Sequence, residues 1–191
     1  SGASDWLIWL AAYSIIAASV VAMTKDNLKA RLAYSTISQL SYITLGVALA
    51  TSMGVMGGGL HMVTHAVGKI TLFMCAGSIY VVTHKTELSQ MTGLGRRMPV
   101  TFIAFLIGSL SIIGLPPFAG SWSKWLLILA SADTGELIII GVLLVSSLLN
   151  VAYLMPLVAK GFFMSDTGEI NPISLKEGPL LVRLPPALTA L

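Results

Sequence analysis

Apolar residues in this chain gather into long runs, and short polar links separate them. Six segments stand out, at about residues 6–23, 32–51, 59–82, 100–113, 121–132 and 137–159. Outer-membrane strands would alternate apolar and polar positions at every second residue, whereas these runs are uniformly apolar, as membrane helices are. A helix also satisfies its own backbone groups where no water is present. The pattern predicts an all-α polytopic transmembrane helical bundle.

Not every segment is the same. The first, second and sixth are uncharged, and Pro156 near the end of the sixth predicts a kink. The third contains His61, His65 and Lys69, and the fifth contains Lys124. The fourth and fifth are too short to cross about 30 Å of hydrocarbon comfortably on their own. Between them lies Gly114-Leu115-Pro116-Pro117-Phe118-Ala119-Gly120, which cannot be regular helix. Two arrangements fit: two tilted helices with an ordinary turn, or a broken helix of the kind that marks ion sites. Residues 161–179 turn polar and read as an extramembrane loop, and residues 180–191 as the start of a truncated helix.

Composition supports the membrane reading. Of 191 residues, 55% are hydrophobic and 10% charged, against about 25% charged in soluble domains. The net charge is +3, and its distribution carries more information than its size. Lys25, Lys29 and Arg31 fall between segments one and two, and Lys85, Arg96 and Arg97 between three and four. The link at residues 52–58 is uncharged. Two crossings separate the basic links, so both lie on one side, the cytoplasmic one by the positive-inside rule. The single cysteine, Cys75, allows no internal disulfide. The chain lacks an initiator methionine and ends as an apolar run begins, as a piece of a longer protein would.

The candidate chemistry lies in the charged groups at membrane depth. His61, His65 and Lys69 are spaced i, i+4, i+8 and share one helix face. A lysine facing lipid near mid-bilayer costs roughly 2.5–3.5 kcal/mol or more, so this stripe should face protein or water. Such a line of groups suits proton relay. Against that stand ordinary packing and half of a metal site, the latter disfavoured by the adjacent lysine and the lack of further ligands. Lys124, four residues past Gly120, could meet carbonyls freed by the break, or could snorkel to an interface. Lys29 is explained by anchoring at the interface, with a relay role the weaker reading. Ser35, Ser38, Gln39 and Tyr42 could line a water path or act as glue between helices. No phosphate loop, catalytic triad or cofactor fingerprint is present, so no cofactor, metal or nucleic-acid partner is expected.

Four motifs in order resemble the antiporter-like membrane subunits shared by NADH:quinone oxidoreductase (complex I) and Mrp-type cation/proton antiporters. They are Leu32-Ala33-Tyr34-Ser35-Thr36-Ile37-Ser38-Gln39-Leu40, His61 to Lys69, Leu72-Phe73-Met74-Cys75-Ala76-Gly77, and Gly114 to Lys124. The resemblance implies the second inverted five-helix repeat of such a subunit, with one discontinuous helix, flanked by the end of the first repeat and the start of the last helix. It implies a proton pathway through Lys69, His61, His65 and Lys124, with Lys29 at a matching basic position. A glutamate and lysine pair of the first repeat would lie upstream. It also implies a multi-pass protein of the inner (plasma) membrane, with other membrane subunits, the lipid bilayer, protons and Na⁺ as partners. Ser123-Lys124-Trp125 and Gly93 to Pro99 resemble the Mrp D type. The alternatives are the proton-pumping subunit of complex I or of a related membrane-bound hydrogenase, and a structural subunit with no transport role.

Overall fold

The computed structural model describes residues 2–164 and 180–190, and among these the chain is a bundle of helices. In order they are α1 (Gly2–Thr24), α2 (Leu28–Ala48), α3 (Ser52–Thr83), α4 (Leu94–Arg97), α5 (Pro99–Ile113), α6 (Ala119–Asp133), α7 (Leu137–Phe163) and α8 (Leu180–Ala190). Local chemistry sets several boundaries. The Asn27 side chain accepts from Ala30 N at 3.0 Å and starts α2. Thr51 Oγ1 accepts from Gly54 N at 2.9 Å and starts α3. Pro99 opens α5, and Gly114 ends it in the left-handed region at φ 86°.

Residues 52–58, expected as a link, are instead the first turns of α3, a 32-residue helix. The glycines there let helices approach closely. A Cβ on Gly46 of α2 would lie 2.5 Å from the Gly54 carbonyl, so only glycine fits this crossing. Lys29 and Arg31, likewise placed in a link, lie in the first turns of α2. At the other end of the chain, α7 runs through Pro156 to Phe163, so it takes in the first residues of the expected loop at 161–179. Residues 165–179 of that loop lie outside the described residues.

α5 and α6 together form a single discontinuous crossing. Gly57 of α3 meets Leu126 and Leu127 of α6, whereas Gly68 meets Ile112 of α5 and Gly108 of α5 meets Thr71. Going up α3 therefore means going down α6 and then α5, with the break between them. Each piece has 15 residues, about 22 Å of helix, too short to cross alone but long enough in tandem. The same order puts the links at alternating ends. The Asn27–Glu87 bridge, Leu28 N to Thr86 O at 2.9 Å and Leu88 N to Asp26 O at 2.9 Å join the two basic links at one end of the bundle.

Among the described residues, three helices are long and apolar enough to cross a membrane by themselves, at Ser4–Thr24, Ser52–Thr83 and Leu137–Phe163. α2 is less apolar because its inner face carries Ser35, Ser38 and Gln39, all fully buried. The outer surface is the greasy one, with Trp6, Tyr13, Trp122 and Leu148 all exposed. Polar inside and apolar outside is the arrangement that lipid selects.

Candidate functional site

The polar groups of four crossings converge behind the break. Pro116 and Pro117 follow Ile112 and Ile113 by four residues, so those two carbonyls have no N–H to receive. Lys124, one turn into α6, donates to the Ile113 carbonyl at 2.8 Å and to Ser147 Oγ of α7 at 3.2 Å. Its Nζ also lies 5.4 Å from the centre of the Tyr42 ring, within cation–π range. The break therefore does two things: it frees an acceptor, and it puts a lysine beside it.

The stripe on α3 is buried on every member. Lys69 donates to the Leu32 carbonyl of α2 at 2.9 Å and, through a short bond, to Ser35 Oγ. His61 Nε2 faces Gln39 Oε1 at 3.1 Å, and His61 Nδ1 faces Ser123 Oγ at 3.0 Å. Gln39 Oε1 can only accept, so Nε2 carries a proton in either charge state. Nδ1 can then accept from the Ser123 hydroxyl. Alternatively it donates to Ser123, whose hydroxyl turns to the Gly120 carbonyl at 2.9 Å. The cage accommodates neutral and charged His61 alike. His65 stacks on His61 with centroids 6.1 Å apart, and its buried Nε2 has no partner among the described residues. The crevice beside His61, His65 and Ser111 is too tight for a water molecule.

Asn150, fully buried in α7, joins these groups. With its amide oxygen toward Lys124, it accepts from Lys124 Nζ at 3.1 Å and from Gln39 Nε2 at 3.1 Å, while its nitrogen donates to the Tyr153 hydroxyl and the Ser146 carbonyl. At the base of the network Arg31 ties Tyr153 O at 3.1 Å. Sequence reading missed Asn150, Tyr153 and Ser123. The signal was present in Ser146, Asn150 and Tyr153, a polar stripe at helical spacing on an otherwise apolar helix.

The structure brings Lys69, His61, His65 and Lys124 into one buried region and leaves Lys29 out of it. Lys29 is exposed, with Nζ 5.0 Å from the centre of the Tyr80 ring near the basic end. Of the α2 polar face, Ser38 serves as glue, bonded to Ser19 Oγ at 2.8 Å and to Ile15 O at 2.9 Å on α1. Ser35, Gln39 and Tyr42 face the network. Neither buried lysine meets a carboxylate among the described residues, and no three His, Cys, Asp or Glu side chains gather there as a metal site. A groove of about 960 Å³ between the break, α6 and α7 is lined by Lys124 and Ser147 among apolar walls. Lys124 itself is buried at the edge of this groove.

Residues 2–150 match the family described as NADH:quinone oxidoreductase/Mrp antiporter, TM. NADH-quinone oxidoreductase subunit N of Desulforudis audaxviator is 37% identical over 154 residues, covering 81% of this chain and 31% of that protein. The chain thus spans about a third of that relative's length. Among solved structures, a chain of respiratory complex I from Thermus thermophilus superposes with a TM-score of 0.85 at 25% identity, covering 99% of this chain and 39% of that one. A chain of the Mrp complex from Dietzia sp. gives the same TM-score of 0.85 at 22% identity, covering 99% and 43%. The fold is common to both, so it does not separate an antiporter from a redox-driven complex.

Proposed function

The chain belongs to the NADH:quinone oxidoreductase/Mrp antiporter transmembrane family, and we propose that it forms part of a proton path in a multisubunit cation/proton antiporter of the Mrp type. One observation carries the reading. Two buried lysines on different crossings are held by neutral oxygens, and one of them is bonded into a buried network of side chains that both donate and accept. A lysine amine can give up its proton in apolar surroundings, whereas an arginine cannot. Lys69 and His61 form the interior of the path, and His65 stacks beside them. Lys124 is its outer station, beside the groove. The upstream half of the path, the coupled cation and the neighbouring subunits belong to the full-length protein in its membrane.

Trp125 favours the Mrp setting, because several complex I subunits with this motif carry an acid after the lysine. The redox-driven setting is favoured instead by the 37% identity to a NADH-quinone oxidoreductase subunit. In that setting electron transfer elsewhere would drive the same lysines.

Inverted membrane vesicles carrying the full-length chain and its native neighbours separate these readings. A pH-sensitive dye is followed while Na⁺ is added during respiration, and the assay is repeated with Lys124→Ala. Loss of lumenal protons on Na⁺ addition, absent in the variant, supports the antiporter. NADH-driven acidification without a Na⁺ response, weakened in the variant, assigns the chain to the redox-driven setting. Transport unaffected by Lys124→Ala removes the proton-path reading.

A further inference from the structure

Lys124 is buried with no carboxylate bonded to it among the described residues, so something else must hold its charge. Neutral oxygens do part of this: the Ile113 carbonyl at 2.8 Å, Ser147 Oγ at 3.2 Å and the Asn150 amide at 3.1 Å. The remaining neighbour is a π system, with the centre of the Tyr42 ring 5.4 Å from Nζ. The same ring stacks on the imidazole of His61, with centroids 5.0 Å apart and planes 18° from parallel. Tyr42 is fully buried in α2, and its hydroxyl reaches the Leu143 carbonyl of α7 at 3.5 Å. One ring on α2 thus touches a titratable group of α6 and one of α3.

We propose that Tyr42 is a positioning residue that lets Lys124 and His61 share one positive charge between them. The proposal rests on the proton-path reading above and names what takes the place of a carboxylate there. The face of an aromatic ring carries negative potential and attracts a cation, more strongly when water is excluded. The ring therefore favours an ammonium at Lys124 and also an imidazolium at His61, whose bonds to Gln39 and Ser123 suit either charge state. Two cations against one ring repel each other in a dry interior, so the charge sits on one of them at a time. A carboxylate would hold the proton on the lysine through a full ion pair. A ring attracts less strongly, and so supports the charge without trapping it. No proton passes through Tyr42 itself.

Few other titratable groups face this pair among the described residues. On α3 they are His65, stacked on His61 at 6.1 Å, and Lys69 further along the same helix. On α7 Tyr153 meets Lys124 only through Asn150. α5 has no titratable side chain. Asp5 and Tyr13 of α1 and Asp133 at the end of α6 are exposed.

The test uses the full-length chain in its native complex in inverted vesicles, with proton flux measured across a pH series. Position 42 is filled with phenylalanine, then with phenylalanines carrying increasing numbers of ring fluorines, which keep the shape and draw charge away from the face. Weaker attraction for the ammonium means that Lys124 gives up its proton at lower pH. The alkaline limb of the profile should therefore step down with each fluorine, ending about one pH unit below that of Tyr42→Phe. Tyr42→Leu, which has no ring, should lie at or beyond the end of the series. Identical profiles across the fluorine series overturn the proposal. So does a Tyr42→Leu complex that assembles in lower amount on blue-native gels yet keeps the profile of Tyr42→Phe, the result that packing alone would give. Lys124→Ala run in parallel keeps the two readings apart. If it abolishes flux while the fluorine series is flat, only the role of the ring is lost; if it is silent, the proton path falls and the role of the ring with it.

Discussion

Lys124 Nζ lies 2.8 Å from the carbonyl oxygen of Ile113, the last residue of α5. The two residues sit on opposite sides of the break. Ile113 lacks its helical partner because Pro117 has no N–H, and the lysine supplies a donor in its place. One half of the interrupted crossing is thereby pinned to the other by a group that can change charge. Any change in that charge alters the bond that holds the break together.

Replacing Lys69 with methionine keeps an unbranched side chain one atom shorter and removes the donor to Leu32 and Ser35. The complex should assemble in normal amounts, since an apolar residue is cheap at membrane depth, and proton flux should fall to background. Blue-native gels together with the dye assay read both outcomes; a variant that still transports shows that Lys69 only packs.

Gly120 sits where the second half of the crossing meets the first. A Cβ there would lie 1.8 Å from the Ser111 carbonyl oxygen, a backbone atom that cannot swing aside. Gly120→Ala should therefore shift α6 against α5, at a cost of at least about 1–3 kcal/mol from overpacking. The expected result is a lower melting midpoint of the purified complex and a large loss of flux. A midpoint equal to wild type would show that the break closes differently from the geometry described.

Lys29→Ala is the control. Its ammonium is exposed over Tyr80 and away from the network, so only a cation–π contact of roughly 0.5–1 kcal/mol is at stake. Flux per assembled complex should stay within about twofold of wild type, because an exposed contact of this size leaves the buried bonds intact. A loss comparable to that of Lys69→Met would put Lys29 back into the path.

Arg31 donates to the carbonyls of Lys25 at 2.8 Å, Tyr153 at 3.1 Å and Met23 at 3.3 Å, and so ties the ends of α1 and α2 to α7. Arg31→Ala removes these charged donors and should cost about 2–3 kcal/mol. Thermal unfolding in detergent should show the drop. Retained stability would mean that water satisfies the three carbonyls and that α7 needs no such anchor.

Much of this was legible along the chain. Gly114 to Gly120 announced an interruption, because two prolines and two glycines leave no regular helix, and the lysine after it announced a use for the freed carbonyls. The spacing of His61, His65 and Lys69 placed them on one face, and burial of all three follows from the cost of charge in lipid. Residues 52–58 misled because glycine signals loops in water and close helix crossings in membranes. Asn150 was passed over because one amide in a 27-residue apolar helix changes hydropathy little, and its importance lies in what it touches.

By itself the sequence determined that this chain is a helical membrane protein, which groups are too polar to face lipid, and where regular helix must stop. Each of these depends on a single segment and its solvent, so local composition suffices. Tertiary structure decided that α5 and α6 share one crossing rather than two, that Asn150 of α7 lies against Lys124, and that Lys29 stands apart. Those outcomes depend on which helix lies beside which, since a donor finds its acceptor on a neighbouring helix and hydropathy says nothing of neighbours.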